Sequence, residues 1–206
     1  MLSLLFLATA AAQDGDVGLY AAAPPAGSAF VRVVNAGGAA LTGKVGKYAT
    51  GSIAPGVASP YYAVPGGDVA LALGQKSQTV QAPTGTFVTV VSGMPGKGEG
   101  VVLPDTLSQN RAKATILLYN VSSQAGIDLA TSDGKVTVFT DVPPGTEVMK
   151  EVNAISIGFT VQGPSSAVTT FPTATLERGA AYSVVVYDSG GKLAATWSTN
   201  STAPVK

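Results

Sequence analysis

The sequence contains no histidine and no cysteine, which limits its chemistry before any fold is considered. A Ser-His-Asp triad, a His-activated thiol and any zinc or copper centre built on imidazole are excluded. Twelve Asp and Glu side chains remain, and they are scattered. Glu147 and Glu151 form a local pair. On a strand, however, residues i and i+4 share a face about 13 Å apart, wider than either spacing used by paired-carboxylate glycosidases. Ser132 and Lys135, in Thr131-Ser-Asp-Gly-Lys135, are the types of a dyad that needs no histidine, but Asp133-Gly134 is a two-residue hairpin signal that accounts for the same residues. Asp14-Gly-Asp16 begins like a calcium loop without its remaining ligands and reads as a solvated tail. No P-loop or dinucleotide glycine fingerprint is present. Lys and Arg together number 12 and balance the carboxylates to zero net charge. No basic excess is left to neutralise phosphates, so nucleic acid is not an expected partner. No cofactor and no metal site are expected, and the residues describe a binding or structural protein rather than an enzyme.

The elements that would carry such a surface repeat within the chain. Ser28–Asn35, read Ser-Ala-Phe-Val-Arg-Val-Val-Asn, returns at 113–120 as Lys-Ala-Thr-Ile-Leu-Leu-Tyr-Asn. Ile53-Ala-Pro-Gly56 is echoed by Val142-Pro-Pro-Gly145, and Phe87-Val-Thr-Val-Val91 by Tyr182-Ser-Val-Val-Val186. Strand periodicity puts Ala29, Val31 and Val33 on one face, with Ala114, Ile116 and Leu118 in the matching phase. With 25 glycines and 13 prolines, turn signals recur every 8–12 residues between short apolar runs, the mark of a sandwich or barrel. No stretch sustains a 3.6-residue period. The expected class is all-β, two tandem β-sandwich domains from an internal repeat.

Strands are expected near 28–35, 41–48, 59–64, 68–73, 76–82, 86–92 and weakly 99–103. The second set falls near 112–119, 126–131, 135–142, 146–151, 154–162, 168–176, 181–188 and 192–198. The first domain is placed at 19–105 and the second at 110–199, joined by a Gly/Pro-containing segment that ends at Arg111. Thr199–Lys206 reads as a frayed tail. Asn120-Val-Ser122 and Asn200-Ser-Thr202 match glycosylation sequons, a common chance pattern. Residues 1–12 (MLSLLFLATAAA) are too short to span a bilayer and read as a secretory signal cut before Gln13. The run is short and has no Lys or Arg ahead of its apolar core, as a start site set too far downstream would produce.

Phe30, Arg32 and Val34 alternate with the core set, as do Thr115, Leu117 and Tyr119. A solvated face of an antiparallel sheet should be mostly polar. Either other strands or the sister domain cover these residues, or they form a partner surface. The candidate partner surface is Phe30, Arg32, Leu117 and Tyr119, since arginine and aromatic residues supply many binding hot spots.

Leu19-Tyr20 followed by Pro25-Ala-Gly-Ser-Ala-Phe-Val-Arg-Val-Val-Asn-Ala-Gly37 resembles the start of the mature proteins of the AlgF alginate biosynthesis family. Asn110-Arg-Ala-Lys-Ala-Thr-Ile116, the Asn120-Val-Ser122 ending, Thr131-Ser-Asp-Gly-Lys135, Val152-Asn153 and Thr175-Leu-Glu-Arg-Gly-Ala180 follow in the family's order. The likeness runs from about residue 19 to 188. The short leader and an Ala/Thr/Ser-rich tail depart from it. The resemblance implies a periplasmic protein without a catalytic site of its own, required for O-acetylation of the exopolysaccharide alginate. It implies work beside the SGNH-type acetyltransferases AlgJ and AlgX and the membrane acyl-transferring protein AlgI. The expected role is a monomeric adaptor that holds these components together. Two alternatives stand beside it: a module that presents alginate to the acetyltransferases, and a generic secreted adhesion-type β-sandwich. Zero net charge and one tryptophan, Trp197, weigh against a binder of a polyanionic sugar.

Overall fold

The computed structural model describes residues 23–98 and 100–205. The expected signal at 1–12, Asp14, Asp16 and the Leu19-Tyr20 pair lie outside them. Among the described residues every regular element is a strand. The first eight are β1 (Ser28–Asn35), β2 (Leu41–Val45), β3 (Tyr48–Ile53), β4 (Tyr62–Pro65), β5 (Gly67–Leu73), β6 (Lys76–Ala82), β7 (Phe87–Ser92) and β8 (Val101–Asp105). They form two sheets, ordered β4-β1-β7-β8 and β3-β2-β5-β6. The second eight are β9 (Ala114–Asn120), β10 (Ile127–Thr131), β11 (Thr137–Val142), β12 (Thr146–Val152), β13 (Ser156–Gln162), β14 (Ala167–Thr175), β15 (Ala181–Ser189) and β16 (Lys192–Thr199). Their sheets run β12-β9-β15-β16 and β11-β10-β13-β14. Adding eight to each label of the first domain gives the second, so the duplication holds strand by strand.

The expected core phase is realised in both copies. Ala29, Val31 and Val33 pack with Val45, Leu71 and Val90 between the first two sheets. Ala114, Ile116 and Leu118 pack with Leu129, Phe159 and Val184 between the second two. In each domain the opening strand pairs in parallel with the seventh, β1 with β7 and β9 with β15. Strands covered on both faces read as near-continuous apolar runs rather than alternating ones. What covers the second face is the other domain. Val34, Val91, Leu103, Leu117, Tyr119, Val121 and Val185 form a third apolar cluster between the domains. The molecule is therefore a stack of four sheets, with β4-β1-β7-β8 and β12-β9-β15-β16 in the middle.

Three expectations are corrected. The single strand expected at 41–48 is a hairpin: Gly46, at φ 54°, turns the chain between Val45 and its partner Tyr48. A glycine first in a two-residue turn suits the II′ geometry that matches strand twist. The register also shifts the last repeat by one residue. Phe87 lies opposite Phe30 while Tyr182 lies opposite Ile116, so Thr89 and Ser183, not Phe87 and Tyr182, occupy equivalent places. Finally, the tail is not frayed along its described length. The Tyr61 N–H donates to the Ser201 carbonyl and the Ala203 N–H donates to the Tyr61 carbonyl, and Ala203 packs on the first domain's core. Residues 200–205 form a strap from the second domain back to the first.

The asparagine that closes each opening strand has one job in both copies. Asn35 Nδ2 donates to the Ala39 and Ile53 carbonyls, both at 2.8 Å. Asn120 Nδ2 donates to the Gln124 and Val142 carbonyls at 2.8 and 2.9 Å. The Gly56 and Gly145 N–H groups donate to the Asn35 and Asn120 carbonyls, each at 2.7 Å. A buried amide with both hydrogens used stitches the turn to the strand, because unpaired buried polar groups are costly. Asn120 is fully buried, so its sequon is a structural motif.

The connecting segment 106–112 is exposed along most of its length and is the expected site of nicking, since exposed loops are cut before packed strands. Because the domains share an apolar cluster and the strap, a chain nicked there is expected to run as two fragments on a denaturing gel. It should elute as one species from a native size-exclusion column. Separation of the halves without denaturant would contradict a cohesive seam.

Candidate functional site

Arg32 sits in the middle of β1 on the face turned to the second domain and is 1% exposed. Burying a guanidinium is costly unless it is paired and its donors are used. Nε donates to Thr89 Oγ1 on β7 at 2.9 Å. One terminal nitrogen donates to Asn200 Oδ1 at 2.9 Å. The other donates to Tyr119 Oη at 2.8 Å and Ser183 Oγ at 2.9 Å. The guanidinium also lies over the rings of Tyr61 and Tyr119, 4.4 and 5.1 Å from their centroids.

The compensating charge is Asp105, at the end of β8 and likewise buried. It makes no direct ion pair with Arg32; one layer of hydroxyls separates them. Thr89 Oγ1 and Tyr61 Oη donate to Asp105 Oδ2 at 2.6 and 2.8 Å, and Tyr119 Oη donates to Oδ1 at 2.6 Å. Thr89 and Tyr119 each accept from Arg32 and donate to Asp105, so both ions are satisfied through shared hydroxyls. Arg32, Tyr61, Thr89 and Asp105 come from the first domain; Tyr119, Ser183 and Asn200 come from the second. Burial opposes the charge on Arg32, but Tyr119, Tyr61 and Asp105 around it raise its pKa above its ordinary value. Burial also lifts the Tyr61 and Tyr119 phenols, against the pull of Arg32, so both stay protonated donors at neutral pH.

Close approach at the rim needs two glycines at equivalent places. Gly56, at φ +72°, lies under Tyr187 of β15, and a Cβ there would run into the ring. Gly145, at φ +74°, lies beside Met94, with 3.2 Å between its would-be Cβ and the methionine methyl. Each repeated Pro-Gly loop thus receives a side chain from the other domain. Thr196 Oγ1 also donates to the Gly56 carbonyl.

Of the candidate partner surface, Arg32, Leu117 and Tyr119 are enclosed in this seam, at 1%, 0% and 0% exposure. The reason is physical: the sister domain supplies both the apolar cover and the hydroxyls that such a face requires. Phe30 shares their face but lies at the margin, half-buried. It is stacked on Phe87 with 4.4 Å between centroids. Ser132 and Lys135 lie in a hairpin on the outside of the second domain. Its turn is the four residues 132–135 rather than the expected Asp133-Gly134 pair, because the Thr131 N–H donates to the Val136 carbonyl and Ala130 lies opposite Thr137. Lys135 pairs with Asp133 at 3.5 Å. Glu147 and Glu151 lie on β12 with Met149, a seam residue, between them. Glu151 accepts from Ser108 and Asn110 of the connecting segment.

Sequence reasoning missed Asp105, Tyr61, Thr89, Ser183 and Asn200. The available signal was Arg32 itself. An arginine inside a strand apolar on both faces requires a carboxylate and several hydroxyls, and Thr89 and Ser183 interrupt two other runs of that kind. Away from the seam, two open features stand on the second domain. A groove of about 310 Å³ runs between the edges of β11 and β12, bordered by Val136, Ile155, Ile157 and Leu176. A cleft of about 600 Å³ lies between the β13–β14 and β15–β16 turns, bordered by Gln124, Ser165, Asp188 and Lys192. Among the described residues, no three Asp or Glu side chains gather as metal ligands would.

The family described as "Alginate O-acetyl transferase AlgF" matches residues 2–183. The alginate biosynthesis protein AlgF of Pseudomonas aeruginosa is 34% identical over 193 residues, covering 94% of this chain and 88% of the relative. The protein of the same name from Azotobacter vinelandii is 24% identical, covering 95% and 89%. Two solved structures are the separate domains of AlgF from P. aeruginosa. The C-terminal domain is 32% identical with a TM-score of 0.40, covering 43% of this chain and 99% of its own. The N-terminal domain is 34% identical with a TM-score of 0.34, covering 40% and 98%. A match over most of both chains, with the repeated β architecture in hand, places the protein: it belongs to the AlgF family of alginate biosynthesis proteins, associated with alginate O-acetylation.

Proposed function

We propose that this protein is a non-catalytic periplasmic adaptor for alginate O-acetylation. In this reading it is a monomer that brings the acetyltransferases AlgJ and AlgX, and the acyl-transferring protein AlgI, to one place. The observation that carries the reading is the closure of the seam. Acetyl transfer needs a nucleophile and a base that meet a substrate. The densest polar assembly among the described residues, around Arg32 and Asp105, is instead walled off between two domains and spent on itself. The chain has no histidine or cysteine to serve elsewhere. A protein that positions reactants can still be essential, because orienting two partners can remove several kcal/mol of a barrier, on the order of 7 or more in favourable cases.

The limits proposed for the two domains, 19–105 and 110–199, and export by the leader belong to the same reading. With Arg32, Leu117 and Tyr119 enclosed, docking falls to outward-facing surface, with Phe30 at the margin as the remaining member of the sequence-derived set. The test is co-purification: immobilised mature protein, from about Gln13, against purified AlgJ and AlgX, with a mannuronate polymer column beside it. The adaptor reading expects retention of at least one acetyltransferase and no retention by the polymer. It also expects a Phe30→Ala chain with an unchanged melting temperature to bind more weakly if Phe30 is an anchor, by about 2 kcal/mol or roughly thirtyfold. Retention by the polymer alone would favour the alginate-presenting module and end the adaptor reading.

A further inference from the structure

We propose that the seam is a pH-operated catch between the two domains, with Glu147 as the group that takes up and releases the proton. Glu147 lies on β12 opposite Tyr119 of β9, on the strand face that also carries the seam residue Met149. Its Oε1 is enclosed and has no hydrogen-bond donor. That is an unusual state for a carboxylate, since buried polar atoms nearly always find a partner.

The groups around it explain why no donor comes. From β8, Asp105 faces it and already accepts from Tyr61, Thr89 and Tyr119. From β1, Arg32 directs four of its five N–H donors to Thr89, Asn200, Tyr119 and Ser183. From β9, the Tyr119 hydroxyl points to Asp105. On β12 itself, Lys150 donates to the Val138 carbonyl and Glu151 is held by the connecting segment. On β11, Asp141 is exposed, and its N–H donates to Asp128. Ionising Glu147 therefore sets two carboxylates beside one guanidinium, with no hydrogen bond reaching its enclosed Oε1. As a neutral acid it fits the closed seam; as an anion it gains from fuller contact with water, which parting β12 from β8 would give.

Burial first, and then the Asp105 charge, raise the Glu147 pKa from 4.5 to about 7, against the pull of Arg32. A carboxyl whose pKa is higher in the closed form favours closure below its open-state value. That advantage is lost as pH rises from about 4.5 through 7. A difference of about 2.5 pH units caps the loss of closing constant at roughly 300-fold. Because Glu147 is only half-buried, solvent screening brings the effect below that cap. The relative placement of the domains, and with it any surface that spans both, would then follow the pH of the compartment.

The test uses backbone hydrogen exchange at Tyr61 and Ala203, whose N–H groups make hydrogen bonds between strap and first domain. The full chain and Glu147→Gln are compared at the same pH, from 5 to 8.5, so that intrinsic exchange cancels. The two chains are expected to separate progressively from about pH 5, with at least tenfold faster exchange of the parent by pH 8 and no further separation once the pH has passed about 7. A parent that tracks Glu147→Gln at every pH would overturn the proposal. Should Glu147→Gln not fold, Glu147→Leu, apolar and unable to ionise, serves in its place with the same expectation and the same contrary result.

Discussion

Replacing Arg32 with methionine is expected to lower the stability of the folded chain by about 3–5 kcal/mol, the usual cost of breaking a buried charge pair from one side. The side chain loses four hydrogen bonds and two aromatic faces, and Asp105 is left buried without a cation. Most of the penalty comes from that orphaned carboxylate rather than from the bonds themselves. Adding Asp105→Asn to the same chain should therefore recover part of the loss, so the double variant is more stable than the sum of the single effects predicts. Groups in one network are coupled in this way, while distant sites add within a few tenths of a kcal/mol. Urea titration of the four chains measures the coupling. A sum of single effects equal to the double effect would mean that Arg32 and Asp105 are not joined through Thr89 and Tyr119.

Leu117→Ala is expected to cost about 2–5 kcal/mol, the range for emptying a leucine site in a packed core. The variant leaves a cavity between Val34, Val91 and Val185, which belong to the cluster that holds the domains together. Val136→Ala, on the open groove of the second domain at 55% exposure, should shift stability by no more than about 0.5 kcal/mol. The contrast separates a seam residue from a surface residue of the same chemical kind. Thermal melts of both variants decide it. An unchanged melting temperature for Leu117→Ala would mean that the face of β9 is open in solution.

The fold was readable because its signals are local and repeated. Ala29, Val31 and Val33 declared one phase, Ala114, Ile116 and Leu118 declared the same phase, and Asp133-Gly134 marked a hairpin, though its turn runs over 132–135. The Gly46 hairpin was hidden because its turn, Gly46-Lys47, lacks an Asn-Gly, Asp-Gly or Gly-Gly signal, even though the apolar phase breaks between Val45 and Lys47. The strap was hidden for a different reason: nothing in Asn200–Val205 is apolar enough to announce a packed segment, and its place is set by backbone pairing with Tyr61. The seam lay between. Phe30, Arg32, Leu117 and Tyr119 were recognisable as residues that could not face water. Whether a partner or the sister domain covered them depended on Asp105, Ser183 and Asn200, which are distant in sequence from Arg32 and ordinary on their own. A one-residue ambiguity in aligning β7 with β15 concealed that Thr89 and Ser183 are counterparts.

The proposed adaptor would serve acetylation without performing it. The most direct measurement is acetyl transfer to a mannuronate polymer from an activated acetyl ester, with the purified chain alone, with AlgJ and AlgX alone, and with all three. A non-catalytic adaptor leaves the ester at its uncatalysed rate when alone, is unaffected by Ser132→Ala, and makes the complete mixture acetylate the polymer faster than the transferases without it. Ester turnover by the chain alone that survives purification and disappears in Ser132→Ala would contradict the adaptor reading.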